Sequence, residues 1–316
     1  MLKTIEENIM NGIDIKKDLA LSLYDVPLED LLEVTKSIFN RYRDNQFDFC
    51  TIINGKNGRC SEDCKYCAQS AHFSCEIQAY DLLDEKIVLK DAKTIEEKGI
   101  KKYSIVTSGK VATEAEVNQL TKIYKRLSDE TDLYLCASHG LLDYNALKRL
   151  KEAGVKRIHN NLETSRNYFE DICTTHTYDD KIQTIKDAQA LGFEVCSGGI
   201  IGMGESREDR IDLAFELKDL EISSVPLNLL NPIEGTPIAY LPAISEEEFI
   251  RTCAIFRLIM PKAVIRLAGG RGLLSDKGKK VFETCINGAI TGELLTTSGN
   301  DTMTDMTMIK ELNYEF

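Results

Sequence analysis

The sequence lacks the features that would place it in a membrane or on a nucleic acid. No stretch approaches the roughly 18 apolar residues of a membrane span, and residues 1–8 mix acids with apolar side chains, unlike a signal peptide. Basic residues are too few for a phosphate-binding surface, since 39 Lys and Arg stand against 51 Asp and Glu. We therefore expect a cytoplasmic protein that acts on a small molecule, with no nucleic-acid or membrane partner.

The chain also lacks a Pro-, Gly- or Ser-rich linker, a low-complexity tract and a repeat of solenoid period. One domain over residues 1–316 is therefore expected, and 43% hydrophobic residues supply ample material for its core. A disulfide framework is not expected in a reducing compartment. The ten cysteines then become candidates for metal binding or catalysis, although several can be ordinary buried thiols.

Short β-branched or apolar runs alternate with longer amphipathic stretches, which is typical of repeated βα units and a parallel sheet. Eight strands are predicted, at residues 47–54, 102–108, 132–138, 157–163, 193–201, 224–230, 263–270 and 289–296. This count favours an α/β fold, a closed (β/α)8 TIM-type barrel over residues 44–297. An N-terminal helical extension is expected at residues 1–43 and a C-terminal tail at residues 298–316.

Three cysteines, Cys60, Cys64 and Cys67, form a C-x3-C-x2-C triplet in the loop after the first predicted strand. Three thiolates this close can hold three irons of a cubane cluster and leave the fourth iron open, because Cys thiolates are the usual ligands of such clusters. An open iron can bind a substrate or a cofactor. In a TIM-type barrel the chemistry lies at the C-terminal ends of the strands, where this triplet is expected.

The triplet, with an aromatic residue before its last cysteine, resembles the cluster motif of the radical S-adenosylmethionine (SAM) superfamily. Further segments resemble the biotin synthase family in the order of that family: residues 160–165, 174–178, 195–205, 224–228, 234–237, 265–271 and 294–297. The resemblance implies a 4Fe-4S cluster on the triplet, SAM on its open iron, and a 5'-deoxyadenosyl radical that removes hydrogen from dethiobiotin. Sulfur from an auxiliary iron-sulfur cluster would then be inserted twice to form biotin.

The same resemblance assigns individual residues to the two ligands. Cofactor contacts fall on Tyr66, Ser108, Asn161, Glu163 and Ile200, and substrate contacts on Asn161, Asn228, Thr296, Thr297 and His159. Asn161 and Glu163 would share one face of a strand by its two-residue period. Each assignment has a structural alternative: Tyr66 and His159 as core residues, the Asn–Glu pair as a satisfied hydrogen-bond network, and the Gly-rich strand end as a turn.

The auxiliary cluster is where the sequence departs from the common family pattern of three cysteines and one arginine around a 2Fe-2S cluster. Cys136, Cys196 and Arg266 match that pattern, but Ser104 replaces the cysteine of the second strand, and a neutral hydroxyl is a much poorer iron ligand than a thiolate. Cys50, on the first strand, stands where serine is common. Our hypothesis is that Cys50, Cys136 and Cys196 hold a larger cluster, 4Fe-5S instead of 2Fe-2S, with Arg266 beside it.

Several alternatives stay open at this point. Cys50 can instead be a small buried hydrophobe, and Cys173 competes with it as the third auxiliary ligand. The chain could be a radical SAM relative of the hydrogenase-maturation or methylornithine-synthase type, or a non-enzymatic electron carrier. A structural zinc site is disfavoured, because closed zinc sites require four ligands. The family also implies an external electron donor of the flavodoxin or ferredoxin type, and a homodimer.

Overall fold

Nine strand segments form one closed parallel barrel with eight strand positions in the computed structural model, which describes residues 1–295 and 299–316. The fifth position is shared by two short segments in tandem. Every strand pairing within the barrel is parallel, and the pairing of Cys196 with Ser224 closes it. The predicted (β/α)8 barrel is therefore confirmed.

The strands are β1 Asp48–Lys56, β2 Lys102–Thr107, β3 Tyr134–Ser138, β4 Arg157–His159, β5 Glu194–Cys196, β6 Gly199–Ile201, β7 Ser224–Leu229, β8 Val264–Leu267 and β9 Gly288–Ile290. The α-helices are α1 Leu2–Met10, α2 Lys17–Ser22, α3 Leu28–Tyr42, α4 Glu85–Glu97, α5 Glu114–Glu130, α6 Tyr144–Glu152, α7 Phe169–Ile172, α8 Tyr178–Ala190, α9 Arg207–Asp219, α10 Glu246–Ile259, α11 Lys279–Thr284 and α12 Thr302–Glu311. Three predicted strands extended at least three residues too far: β4 ends at His159, β8 at Leu267 and β9 at Ile290.

Helices on the outside of the barrel begin at defined polar caps that follow the loops at the C-terminal ends of the strands. In a capping box, the side chain of the residue just before the helix accepts a hydrogen bond from the backbone N–H of the third helical residue. The side chain of that third residue accepts in turn from the backbone N–H of the capping residue, so two otherwise unpaired N–H groups are satisfied. Capping boxes begin α5 with Thr113 and Glu116, α8 with Thr177 and Asp180, and α9 with Ser206 and Asp209. These caps fix where the loops at the mouth of the barrel end.

The break between β5 and β6 brings three segments unusually close together. A Cβ added at Gly198 would lie 1.9 Å from the carbonyl oxygen of Pro226, and one at Gly199 would lie 2.4 Å from that of Glu163. Only glycine fits such a close backbone approach. As a result, the backbone after β4 is hydrogen-bonded alongside β6, where the Ile200 N–H donates to the Glu163 carbonyl at 2.8 Å.

Both ends of the chain pack onto the helical layer. Helix α3 packs against α1, α10 and α11, and α2 packs against α9. Helix α12 is tied to the barrel by Asp305, which accepts two hydrogen bonds from the Arg271 guanidinium at 2.8 and 2.7 Å and one from Thr291 at 2.7 Å. Within the described part of the chain, none of the helices combines the length and apolar character needed to cross a membrane.

Candidate active site

The cysteine triplet lies in the loop after β1, at the C-terminal end of the barrel. The Cys60 N–H donates to Gln69 at 2.9 Å and the Ala71 N–H donates to Cys60 at 2.8 Å, so the loop closes on itself. Burial raises the pKa of Cys60, and burial raises that of Cys67 to about 11. Because metal ligands must be deprotonated, binding a metal here would release protons.

The spacing of the triplet sulfurs helps to distinguish a cluster from a lone ion. Among the described residues, only Cys64, Cys173 and His176 form a group of three candidate ligands whose atoms all lie within 4.8 Å of one another. The triplet sulfurs are therefore spread more widely than the ~3.8 Å that separates thiolates on one tetrahedral zinc ion. The triplet is therefore not gathered around a single ion, and three thiolates on one loop are the usual ligands of a multi-iron cluster.

Asp63, inside the triplet, fastens this loop to the segment after α7. Its carboxylate accepts hydrogen bonds from the Thr174 N–H at 2.8 Å and from the Thr175 hydroxyl at 3.1 Å. The Lys65 N–H also donates to the Ile172 carbonyl at 2.9 Å. The threonines of the segment 174–178, which carried part of the family resemblance, thus hold the triplet loop in place.

A cavity of about 410 Å³ extends from the triplet loop into the barrel. Most of the residues predicted from the sequence line it: Cys50, Cys60, Tyr66, Cys67, Ser108, Cys136, His159, Asn161, Glu163, Cys196, Ile200, Asn228 and Arg266. Cys64 and Cys173 are absent from its lining. The predicted contacts Thr296 and Thr297 lie outside the described residues.

The predicted pair Asn161 and Glu163 comes together, but not for the reason expected. The chain leaves the sheet at His159, and Glu163 has a left-handed backbone with φ of 73°. The Asn161 Nδ2 still lies 3.4 Å from a Glu163 carboxylate oxygen. The parallel bridge of Glu163 to Gly199 therefore holds Glu163 in place, and the predicted continuous strand was wrong here.

Tyr66 lies in the cavity wall near Glu163. Burial raises the pKa of its phenol well above the usual value, and the Glu163 charge and hydrogen bond raise it further. The ring is packed beside Ile172, Met203, Leu230 and Ile238, a small apolar cluster that also includes Ile200 at its edge. Tyr66 and Ile200 thus give one side of the cavity mouth an apolar surface.

Two other predicted ligand contacts are largely engaged with the protein itself. The Ser108 hydroxyl donates to the Gly58 carbonyl at 2.7 Å and so braces the triplet loop. The Asn228 amide accepts from the Gly269 N–H at 2.7 Å and donates to the Gly199 carbonyl at 3.1 Å. An amide has two N–H donors, so one N–H of Asn228 has no partner among the described residues and can serve a ligand.

Deeper in the barrel, Cys50, Cys136 and Cys196 are all buried and line the same cavity. Interaction with Cys136 lowers the pKa of Cys50, and the same interaction raises the pKa of Cys136. Burial alone would raise the pKa of Cys196, but His159, Arg266 and Arg157 lower it to about 6. The structure therefore brings together the three cysteines that the hypothesis named.

Cys173, the competing ligand, lies elsewhere. Its sulfur is 3.7 Å from that of Cys64, beside the triplet loop instead of in the barrel interior. His159 faces Cys196 across the β4–β5 pairing, and interaction with that thiol raises the pKa of His159 against the opposing effect of burial. His159 thus lies on the side of the auxiliary cysteines.

Sequence reasoning missed a layer of charge below these cysteines. Arg157 on β4 lines the cavity with Arg266 and pairs with Glu194 at 2.6 Å. Asp48 is bonded to Arg266 at 3.2 Å and pairs with Lys102. Burial opposes ionisation of Asp48, yet these cations hold its pKa below the usual value. Asp48 and Arg157 each lie two positions before a predicted site residue on the same strand, Cys50 and His159. The two-residue period of a strand could therefore have placed these charges on the same face as the site.

Comparisons with known proteins identify the family and the fold. Residues 56–217 match the Radical SAM superfamily model, and residues 226–315 match the Biotin and Thiamin Synthesis associated domain. The solved structure of a methylornithine synthase superposes with a TM-score of 0.86 at 18% identity, covering 98% of this chain and 96% of that chain. A maturase of FeFe-hydrogenase gives a TM-score of 0.85 at 18% identity, covering 99% and 75%. At such identities the likeness shows the fold alone.

The superfamily match, which spans the triplet and most of the barrel, makes the chain a radical SAM enzyme. Its sequence is 52% identical over 310 residues to a biotin synthase of Clostridium botulinum, covering 98% of both chains. It is 50% identical over 314 residues to a biotin synthase of Brachyspira hyodysenteriae, covering 99% of this chain and 94% of that protein. The chain belongs to the biotin synthase family, and the resemblance read from its motifs is confirmed.

Proposed function

We propose that this protein converts dethiobiotin to biotin, with SAM bound at a 4Fe-4S cluster on Cys60, Cys64 and Cys67. The observation that carries the proposal is one cavity of about 410 Å³ that joins the triplet loop to three buried cysteines inside the barrel. A radical generator and a sulfur store must both reach the same substrate, because hydrogen removal and sulfur insertion occur at the same carbons. A shared cavity provides that access.

At the mouth, the chain's own residues would position SAM. The bound cluster would supply the electron that splits SAM into methionine and a hydrogen-abstracting radical. Tyr66 and Ile200 offer the adenosine an apolar wall, while the Glu163 carboxylate and the Asn161 amide offer polar partners. Ser108, already bonded to Gly58, would act by bracing the triplet loop instead of touching SAM.

In the interior, Cys50, Cys136 and Cys196 would hold the auxiliary cluster that supplies the sulfur. We favour 4Fe-5S over 2Fe-2S because the second strand offers only the Ser104 hydroxyl at this level, where it pairs with Cys136. Arg157 and Arg266 each have a buried Nε without a hydrogen-bond partner among the described residues. Their charge favours thiolates and an added sulfide.

Dethiobiotin would lie between the two clusters. The free N–H of Asn228 suits an acceptor such as a ureido carbonyl, and Thr296 and Thr297 remain predicted contacts beyond the described residues. His159, beside Cys196, would contact the auxiliary cluster instead of the substrate. A flavodoxin- or ferredoxin-type electron donor and a homodimer complete the proposal, both on family grounds.

An anaerobic turnover assay tests the reaction. Reconstituted protein with SAM, a reductant and dethiobiotin is expected to form biotin and 5'-deoxyadenosine, with far less 5'-deoxyadenosine when dethiobiotin is omitted. Both products are measured by mass spectrometry. Cleavage of SAM that dethiobiotin does not stimulate, with no biotin formed, would refute the proposed substrate.

A Cys50→Ala variant tests the auxiliary cluster. We expect loss of the auxiliary iron and sulfide with retention of the SAM cluster, because Cys50 is on β1 inside the barrel whereas the triplet is on the loop. Iron and sulfide analysis with Mössbauer spectroscopy distinguishes the two clusters. Cys253→Ala is the matched control, since Cys253 is a fully buried cysteine of α10. An unchanged auxiliary cluster in the Cys50 variant would exclude this ligand.

A further inference from the structure

Cys173 contacts the triplet from outside the cavity, in a position that the proposed chemistry does not use. Its side chain is 2% exposed, and its sulfur lies 3.7 Å from the sulfur of Cys64. On its other side, the His176 Nδ1 is 3.2 Å from the Cys173 sulfur and 2.6 Å from a Glu62 carboxylate oxygen. A buried chain of polar groups therefore leads from Glu62 through His176 and Cys173 to a triplet sulfur.

This contact is enforced by the backbone. The segments that carry the two sulfurs are joined on both sides of the contact: Asp63 accepts from the Thr174 N–H at 2.8 Å, and the Lys65 N–H donates to the Ile172 carbonyl at 2.9 Å. Each bond is one residue away from Cys64 or Cys173. The two sulfurs thus meet because the backbone holds them together, and changing one side chain should leave the loops in place.

Cluster binding decides which sulfur carries the proton between them. As an iron ligand Cys64 is a thiolate, so it has no proton to give and can only accept a hydrogen bond. Across the 3.7 Å between the sulfurs, the S–H of Cys173 is then the group placed to donate, and two bare thiolates in this buried place would repel. Hydrogen bonds to ligand sulfurs are one of the factors that set the potential of an iron-sulfur cluster.

We propose that Cys173 is a positioning residue for the SAM cluster. Its S–H donates to the iron-bound sulfur of Cys64, with His176 and Glu62 holding the thiol in place. A donor at a ligand sulfur stabilises the more negative, reduced cluster more than the oxidised one, so it raises the reduction potential. The inference rests on the proposed function only in requiring the 4Fe-4S cluster on Cys64; it adds a reason why a biological donor can reduce that cluster.

A redox titration followed by electron paramagnetic resonance tests the inference, on reconstituted full-length protein without SAM. For Cys173→Ala we expect an intact cluster that is harder to reduce: about a tenfold lower ratio of reduced to oxidised cluster at a given potential, which is ~59 mV for one electron. Cys173→Ser should recover part of the shift, because a hydroxyl also donates. Cys253→Ala, the buried control on α10, should titrate as the wild type does.

The outcomes separate this inference from the proposed function. An intact 4Fe-4S cluster with an unchanged or raised potential in Cys173→Ala overturns the inference and leaves the proposed function standing. A wild-type protein that binds one zinc ion through Cys64, Cys173 and His176, with no 4Fe-4S signal, overturns both. If Cys173→Ala fails to load its cluster, Cys173→Ser carries the test: a potential below that of wild type, as expected because the shorter side chain holds its donor farther from Cys64, supports the inference, and a potential equal to or above that of wild type refutes it.

Discussion

Glu163 offers a sharp test of how the site is built, because its backbone is strained. It has φ of 73°, and its N–H and carbonyl are held by Gly198 at 3.0 Å and by Ile200 at 2.8 Å. Such strain persists only where the surrounding structure enforces it, and it is concentrated at functional sites. We expect Glu163→Gly to stabilise the fold while removing a proposed partner of SAM.

The size of the effect follows from two opposing terms. A left-handed backbone costs a non-glycine residue about 1–2 kcal/mol, and the greater freedom of glycine in the unfolded chain offsets about 0.5–1 kcal/mol of the gain. Losing the Glu163 side chain removes a long hydrogen bond from Asn161, at 3.4 Å, and a hydrogen bond with the Tyr66 phenol, which water can replace because both side chains line the cavity. The net increase in the free energy of unfolding is then roughly 0.5–1 kcal/mol, a rise in Tm of about 1–3 °C.

Glu221 provides a matched control for this substitution. It is also a glutamate with a left-handed backbone, φ of 55°, but it is exposed and follows α9 far from the cavity. Denaturation of the metal-free proteins should show a similar gain for Glu163→Gly and Glu221→Gly. Only Glu163→Gly should lose SAM affinity, measured by equilibrium dialysis on the reconstituted protein.

Two results would refute the reasoning. Destabilisation by Glu163→Gly, with stabilisation by Glu221→Gly, would mean that the Glu163 side chain stabilises the fold by more than its strain costs. Wild-type SAM affinity in Glu163→Gly would mean that this carboxylate does not bind the cofactor.

Two further predictions concern stability. Asp305→Ala leaves Arg271 buried without its partner, so the free energy of unfolding in urea should fall by about 3–5 kcal/mol. The control Met303→Ala, on the exposed side of α12, should change it little. A loss below about 1 kcal/mol in Asp305→Ala would show that the Arg271–Asp305 pair does not stabilise the fold. Asp48 has a lowered pKa, so its stabilisation is present above the unfolded pKa near 4 and is lost as pH falls towards the folded pKa. Below about pH 4, the free energy of unfolding should therefore fall less steeply with decreasing pH in Asp48→Asn than in the wild type. Asp219→Asn, at an exposed position, should show the wild-type slope. The same slope in the wild type and both variants would contradict this prediction.

The regular elements were largely predictable because their signals are local. Hydrophobic runs and helix periodicities fix where a strand or helix can form, and the eight predicted strand positions are all present. The exceptions occur where tertiary contacts override local pattern. The predicted strand at residues 157–163 is interrupted after His159, and Glu163 pairs again as a bridge to Gly199 at the β5–β6 break.

The residues of the candidate site also fall into two groups, those that a local pattern predicts and those that only tertiary contacts bring together. Cys60, Cys64 and Cys67 are close in sequence, so their spacing alone indicated a cluster. Arg157 was missed because a charged residue in a strand gives no sign of which charges and thiols surround it. Its place beside Cys196 depends on the pairing of β4 with β5.

The barrel, the thiol triplet and the family could be predicted from the order of the amino acids, because they depend on short-range patterns and ordered motifs. The surroundings of the remaining cysteines, in contrast, are set by contacts that form when the chain folds. Barrel closure turns Cys50, Cys136 and Cys196, from three separate strands, inward to one cavity. The same folding brings Cys173 to Cys64 across 109 residues of chain. Contacts between residues so far apart arise from how the strands and loops pack together, which no local pattern encodes.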